Sequence, residues 1–135
     1  MIKTQQGGCM CGAARYEISL KGVHTLACHC RQCQKHMGTP YSIFVVVPAN
    51  QFNWLSKPSH HISISDRATR LFCGTCGTCI KWEGKNTPDE AEVNAMTLDD
   101  PSGLTINEEI YVRTRLPWIG ALEGVPQYET TRPNE

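Results

Sequence analysis

Eight cysteines in 135 residues fall into tight groups, and no other feature restricts this chain so strongly. Cys9 and Cys11 have a single residue between them, too close for an unstrained disulfide. Cys73-Gly-Thr-Cys76-Gly is the turn that wraps a tetrahedral metal ion. The start of the chain carries no apolar signal core, and no run of about 18 apolar residues occurs anywhere. Clustered cysteines without an export signal point to metal ligation in a reducing compartment, so a cytoplasmic protein without a membrane partner is expected.

The spacing divides the ligands unequally. Cys9, Cys11, Cys73 and Cys76 suffice for a closed four-thiolate site of structural type, joining the N-terminal segment to a knuckle some sixty residues later. Gly74 and Gly77 let backbone N–H groups of that knuckle turn toward the sulfurs. Cys28, Cys30 and Cys33 offer only three ligands, the arithmetic of a catalytic zinc with an exchangeable fourth position. Two zinc ions per chain are therefore expected. Cys79, His29, His36 and His24 are the side chains that can close the second site instead. Cys79 is the serious rival among them, as an extra ligand three residues beyond the knuckle. In an extended segment, the ring of His29 points away from both neighbouring sulfurs.

The rest of the chain reads as mostly β with little helix: short twisted sheets stapled by zinc. "ARYEISL" alternates and "YSIFVVV" is β-branched and aromatic. "HISIS", "IKWE", "AEVNAMTL" and "EIYVR" have strand character, and Lys21-Gly22, Lys57-Pro58-Ser59, Gly84-Lys85-Asn86 and "DDPSG" separate them as turns. Arg31 to His36 can form one helical turn. A single domain over 1–135 is expected, with its core at about 6–122 and a polar tail over 123–135 whose end, "TTRPNE", is loose.

Thirteen basic and thirteen acidic residues leave the formal charge at zero, and thiolate ligation makes the metal-loaded protein negative. Nucleic acid is therefore not an expected partner. Three thiolates donate strongly to zinc and make it a poor Lewis acid toward water. The chemistry that suits such an ion is holding an incoming thiol as its thiolate, so a small thiol is the expected occupant of the fourth position. Arg31, Lys35 and His36 stand beside the trio in sequence and can meet the carboxylates of a glutathione-like molecule.

The segments "GGCMCGAARYE", "CHCRQCQKHMG", "FCGTCG", "LDDP" and "RLPW", in this order between Gln6 and Leu122, resemble the glutathione-dependent formaldehyde-activating enzyme family, which includes centromere protein V. The resemblance implies a compact β fold with two zinc sites: Cys9, Cys11, Cys73 and Cys76 around the structural ion, and Cys28, Cys30 and Cys33 around the catalytic one. It also implies a carbon–sulfur lyase/synthase that adds a thiol, in the named members glutathione, to formaldehyde.

Two other readings compete with this one. A non-catalytic zinc-stabilised binding module would have two closed metal sites. A thiol-redox enzyme would need Cys79 as its reactive group. Tyr41 and Trp118 are candidate pocket walls, and Arg113 and Arg115 are candidate anion contacts or charges guarding a strand edge. His24, His60 and His61 carry no motif, and no general base is evident.

Overall fold

The computed structural model describes residues 3–132. The chain is mostly β. Its strands are β1 (Thr4–Gly8), β2 (Arg15–Ser19), β3 (His24–Cys28), β4 (Ser42–Pro48), β5 (Phe52–Ser56), β6 (His60–Ser63), β7 (Ala68–Phe72), β8 (Cys79–Gly84), β9 (Glu90–Asn94) and β10 (Glu108–Ile110). One α-helix, α1 (Arg31–Met37), follows β3.

Two sheets form. The smaller has the order β1-β2-β5, and the larger runs β10-β3-β4-β9-β8-β7-β6. In the larger sheet neighbouring strands are antiparallel except β10 with β3, which are parallel. The strand-like segments of the sequence fall on β2, β4, β6, β8, β9 and β10. Two of the differences in their bounds have a visible cause. "AEVNAMTL" leaves the sheet after Asn94, whose side chain caps a 3-10 turn by accepting from the Met96 N–H. "EIYVR" leaves it after Ile110, because Tyr111 adopts φ 55 and turns the chain.

β4 explains why one strand can be apolar along its whole length. Val45 and Val47 pack with Tyr16, Ile18, Ala91 and Val93 in the core between the sheets. Phe44 and Val46, on the opposite face, join Leu26, Cys28, Cys33 and Ile110 in a second cluster. A strand buried on both faces loses the period-two polar alternation of a surface strand. In the first core, the Tyr16 ring stacks on Phe52 at 5.1 Å and its hydroxyl meets Thr97 Oγ1 at 2.7 Å. A buried phenol is thus satisfied as well as packed.

The larger sheet carries a register shift between Leu71 and Phe72, which pair with Lys81 and Cys79. The bulge lets Ile80 and Trp82 join different clusters, although they are two residues apart. Beyond the bulge, cross-strand partners form a row: Arg70 opposite Trp82, Trp82 opposite Glu92, Glu92 opposite Val46. Partners in register share a face. This row forms the floor of the site described below.

The end of the chain differs from the expected loose tail. Glu109 N–H donates to Pro126 O, Tyr128 N–H to Glu109 O, and Tyr111 N–H to Thr130 O. Arg132 forms an ion pair with Glu90 at 3.0 Å. The free edge of β10 supplies the backbone partners, so a polar segment is held by hydrogen bonds instead of apolar burial. The final residues of "TTRPNE", 133–135, lie outside the described residues.

Candidate functional site

Two groups of sulfurs come together. Cys9, Cys11, Cys73 and Cys76 have all their ligand atoms within 4.8 Å of one another. Cys9 Sγ to Cys11 Sγ is 3.6 Å, and Cys11 Sγ to Cys73 Sγ is 3.7 Å. A tetrahedral ion with bonds of about 2.3 Å to sulfur separates its ligands by about 3.8 Å, so the group fits a closed thiolate site. The knuckle is held by N–H donation from Gly77 to Cys73 O and from Cys73 to Thr78 O, with Gly77 at φ 81. Ala14 N–H donates to Cys9 Sγ at 3.3 Å. The Thr78 hydroxyl, aided by its backbone N–H, pulls the Cys76 thiol down to about 5. These contacts stabilise negative sulfur, as a cationic ion requires.

Cys28, Cys30 and Cys33 form the second group, again within 4.8 Å of one another. Cys28 ends β3, Cys30 is the N-cap of α1, and Cys33 lies in its first turn. The Cys30 sulfur accepts from Cys33 N–H at 3.2 Å, the contact a Ser or Asp cap normally makes. Gly38, in the left-handed conformation, ends the helix. Among the described residues, no fourth His, Cys, Asp or Glu atom completes this group. Cys79 belongs to neither group.

The three thiols share their protons unevenly. Hydrogen bonds from Cys28 and Cys30 push Cys33 far down, with the Arg70 charge helping. Hydrogen bonds with Cys30 and Cys33, together with its burial, push Cys28 up. Negative charge therefore gathers on Cys33, where Arg70 Nη2 donates to Sγ at 3.3 Å. The Arg70 side chain is buried, with a relative exposure of 1%. Burial pushes the Cys79 thiol up, against the pull of the same guanidinium.

His29 faces the other way, as the extended-segment argument expects. Its Nε2 lies 2.7 Å from Glu109 Oε1, and both side chains are buried. Glu109 Oε2 accepts from Leu122 N–H at 2.9 Å and from Gln127 Nε2 at 2.7 Å, with Arg115 Nη2 at 3.1 Å. The His29 carbonyl accepts from Gln34 Nε2 and the Thr114 hydroxyl. These bonds clamp the residue between two sulfurs from both its backbone and its ring.

A cavity of about 420 Å³ opens onto the trio. Its apolar walls are Leu26, Phe44, Trp82, Ile110 and Tyr111; Arg31, Arg70 and Arg113 supply cations. Tyr111 holds a left-handed conformation that costs a non-glycine residue about 1–2 kcal/mol, and the tail's hydrogen bonds keep it there.

The residues singled out from sequence separate clearly here. Arg31 and Arg113 line the cavity. Lys35 and His36 lie in the last turn of α1, where the Lys35 cation suits the unpaired helix carbonyls, and they do not form the cavity wall. Tyr41 packs its ring on His29 at 4.9 Å and is not a cavity wall. Trp118 is 70% exposed and does not line it. Arg115 belongs to the Glu109 network. His24 pairs with Glu108 at 2.8 Å, and His60 Nδ1 meets the Ser59 hydroxyl at 2.7 Å. Sequence reasoning passes over Arg70, Trp82 and Glu109, whose only signal is a charge or ring inside a short strand.

The fold and its sulfur groups define a β protein with two candidate metal centres, one closed and one facing a cavity. The chain belongs to the glutathione-dependent formaldehyde-activating enzyme family, whose profile matches residues 4–114. An uncharacterized lyase of Schizosaccharomyces pombe is 22% identical over 107 residues, covering 79% of this chain and 77% of that protein. A crystal structure of a Rhodobacter sphaeroides protein shares the fold, with a TM-score of 0.58 at 20% identity over 90% of this chain and 98% of the other. No helix among the described residues is long and apolar enough to cross a membrane.

Proposed function

We propose that this protein is a zinc-dependent carbon–sulfur lyase/synthase that adds a small, glutathione-like thiol to an aldehyde such as formaldehyde. The observation that carries the proposal is the sulfur trio without a fourth protein ligand, open to a cavity of about 420 Å³. It favours this reading over a binding module with two closed sites. Family membership supports the same class of reaction. Seven cysteines grouped as ligands suit a reducing compartment such as the cytoplasm.

Cys28, Cys30 and Cys33 would hold the second zinc, and Cys9, Cys11, Cys73 and Cys76 the structural one. A three-thiolate zinc would present an incoming thiol as its thiolate near neutral pH. Arg31 and Arg113, which both line the cavity, meet the carboxylates of that thiol; Lys35 contributes charge from outside the wall, while His36 beside it is held below its ordinary value by burial and stays neutral near pH 7. The apolar walls exclude water around the reacting atoms. The thiol sulfur bonds to the carbonyl carbon, the C=O π pair moves to oxygen, and that oxygen takes a proton from water. The thiol's own proton has left to water, so the product is a hemithioacetal and no oxidant is consumed.

Exchange NMR with carbon-13 formaldehyde and glutathione tests this directly. Zinc-loaded protein should accelerate interconversion, and Cys30→Ser should lose both the second zinc and the acceleration. An unchanged rate after loss of that zinc would remove the assignment.

A further inference from the structure

Glu92 is the one carboxylate among the residues that line the cavity. Register fixes its place: β9 sets it between Trp82 on β8 and Val46 on β4. The residue is 9% exposed, and a carboxylate so far out of water needs cationic partners. Arg132 is one, but it divides its charge among three acids. It approaches Glu90 to 3.0 Å and stands 3.7 Å from Glu92 and 3.8 Å from Glu108. At 3.7 Å the contact with Glu92 is longer than a hydrogen bond. An ionised carboxylate has about four acceptor sites, and an arginine at this distance does not exhaust them.

The other charged side chains of the wall are Arg31, Arg70, Arg113 and the sulfur trio. A ligand whose carboxylates meet Arg31 and Arg113 therefore finds the opposite charge at Glu92. One carboxylate is too few for calcium or magnesium, which take about six or more oxygens. An ammonium suits it better, with three donors to share. Trp82, the cross-strand neighbour of Glu92 in the same wall, offers a ring of the kind that attracts a cation. Distance selects further. Cys28 pairs with Ser42 and Glu92 with Val46, a separation of about 13 Å along β4. Side chains at both ends close part of that span, and the remainder fits an ammonium several bonds from the sulfur. We propose that Glu92 forms an ammonium subsite, making the thiol substrate one with a protonated amine remote from its sulfur, as in a γ-glutamyl-linked thiol. This rests on the thiol-holding step of the reading above and names the feature by which that thiol is selected.

Calorimetry on zinc-loaded protein tests the subsite with two thiols: glutathione, and glutaryl-cysteinylglycine, the same molecule with hydrogen in place of its amino group. Wild-type protein should bind glutathione about tenfold more tightly. Glu92→Gln should weaken glutathione and bring the two affinities within about twofold of each other. A carboxylate that served only to hold Arg132 would weaken both thiols alike when replaced, so the comparison of variant with ligand isolates the ammonium contact. Equal affinities in wild type overturn the proposal, and so does a preference that survives Glu92→Gln. If that variant does not fold, Glu92→Asp keeps the charge for Arg132, withdraws it by one carbon, and should shrink the preference; an undiminished preference there overturns the proposal too. Failure of both thiols to bind would remove the thiol-holding step and the subsite with it. Binding with the expected preference but no acceleration of thiol addition would support the subsite while removing the enzymatic reading.

Discussion

His29 sits between two sulfur ligands in sequence, yet its Nε2 meets Glu109 Oε1 at 2.7 Å on the face away from them. The contact ties the ligand segment to β10 and, through Arg115, Gln127 and Leu122, to the end of the chain. Burial alone would raise the Glu109 carboxyl; the Leu122 N–H, Gln127, His29 and Arg115 outweigh it and hold it below the usual 4.5.

A depressed carboxylate stabilises the fold above its unfolded value, and this contribution is lost as pH falls through the folded one. Glu109→Gln should therefore cost about 3 kcal/mol near neutral pH. The gap from wild type should begin to narrow below about pH 4.5 and close as pH falls through the lower folded value, beneath which both proteins carry a neutral group there. Urea melts between about pH 7 and 3 read this difference. A gap that stays constant would mean that the carboxylate is not the ionised partner.

The two outer cysteines of "CGTCGTC" should respond oppositely to substitution. Cys73 is buried in the four-sulfur group, and a structural zinc there supplies on the order of 10 kcal/mol. That matches the whole stability of about 5–15 kcal/mol for a typical domain, so Cys73→Ser should unfold the protein. Cys79 lies outside both groups, and Cys79→Ser should keep the full metal content and the wild-type circular dichroism. Mass spectrometry for zinc alongside thermal melts checks both outcomes.

Gly7 is a position in β1 where a methyl group has no room. Its Cβ would run into the Tyr16 hydroxyl and the backbone carbonyl oxygen of Thr97, the first buried and the second fixed. Gly7→Ala should destabilise by about 1–3 kcal/mol through forced movement of the core. Gly120→Ala, with nothing within 4 Å of the new methyl, should change stability by less than about 0.5 kcal/mol. Chemical denaturation of the two variants compares them directly.

Much of the site was legible because metal ligation needs particular atoms at short spacing. Cys9, Cys11, Cys28, Cys30, Cys33, Cys73 and Cys76 are near in sequence or belong to recognisable turns, and the structure collects them into the two expected groups. β4 was legible as a strand through its apolar run, although its two buried faces emerge only from the sheet order. Arg70 was not legible: a charge inside the five-residue strand β7 reads as a surface position. Only register opposite Trp82 turns it toward the sulfurs. Tyr41 misleads for a related reason, since its ring meets His29 and not the cavity. β1, β3, β5 and β7 lack a strong periodic signal and depend on neighbours supplied from far along the chain.

Zinc-edge X-ray absorption on the two-zinc protein, before and after addition of a small thiol, tests the open trio most directly. Average sulfur coordination should begin below four per ion and rise to four when thiol is added. Four sulfurs per ion beforehand, unchanged by thiol, would contradict the account.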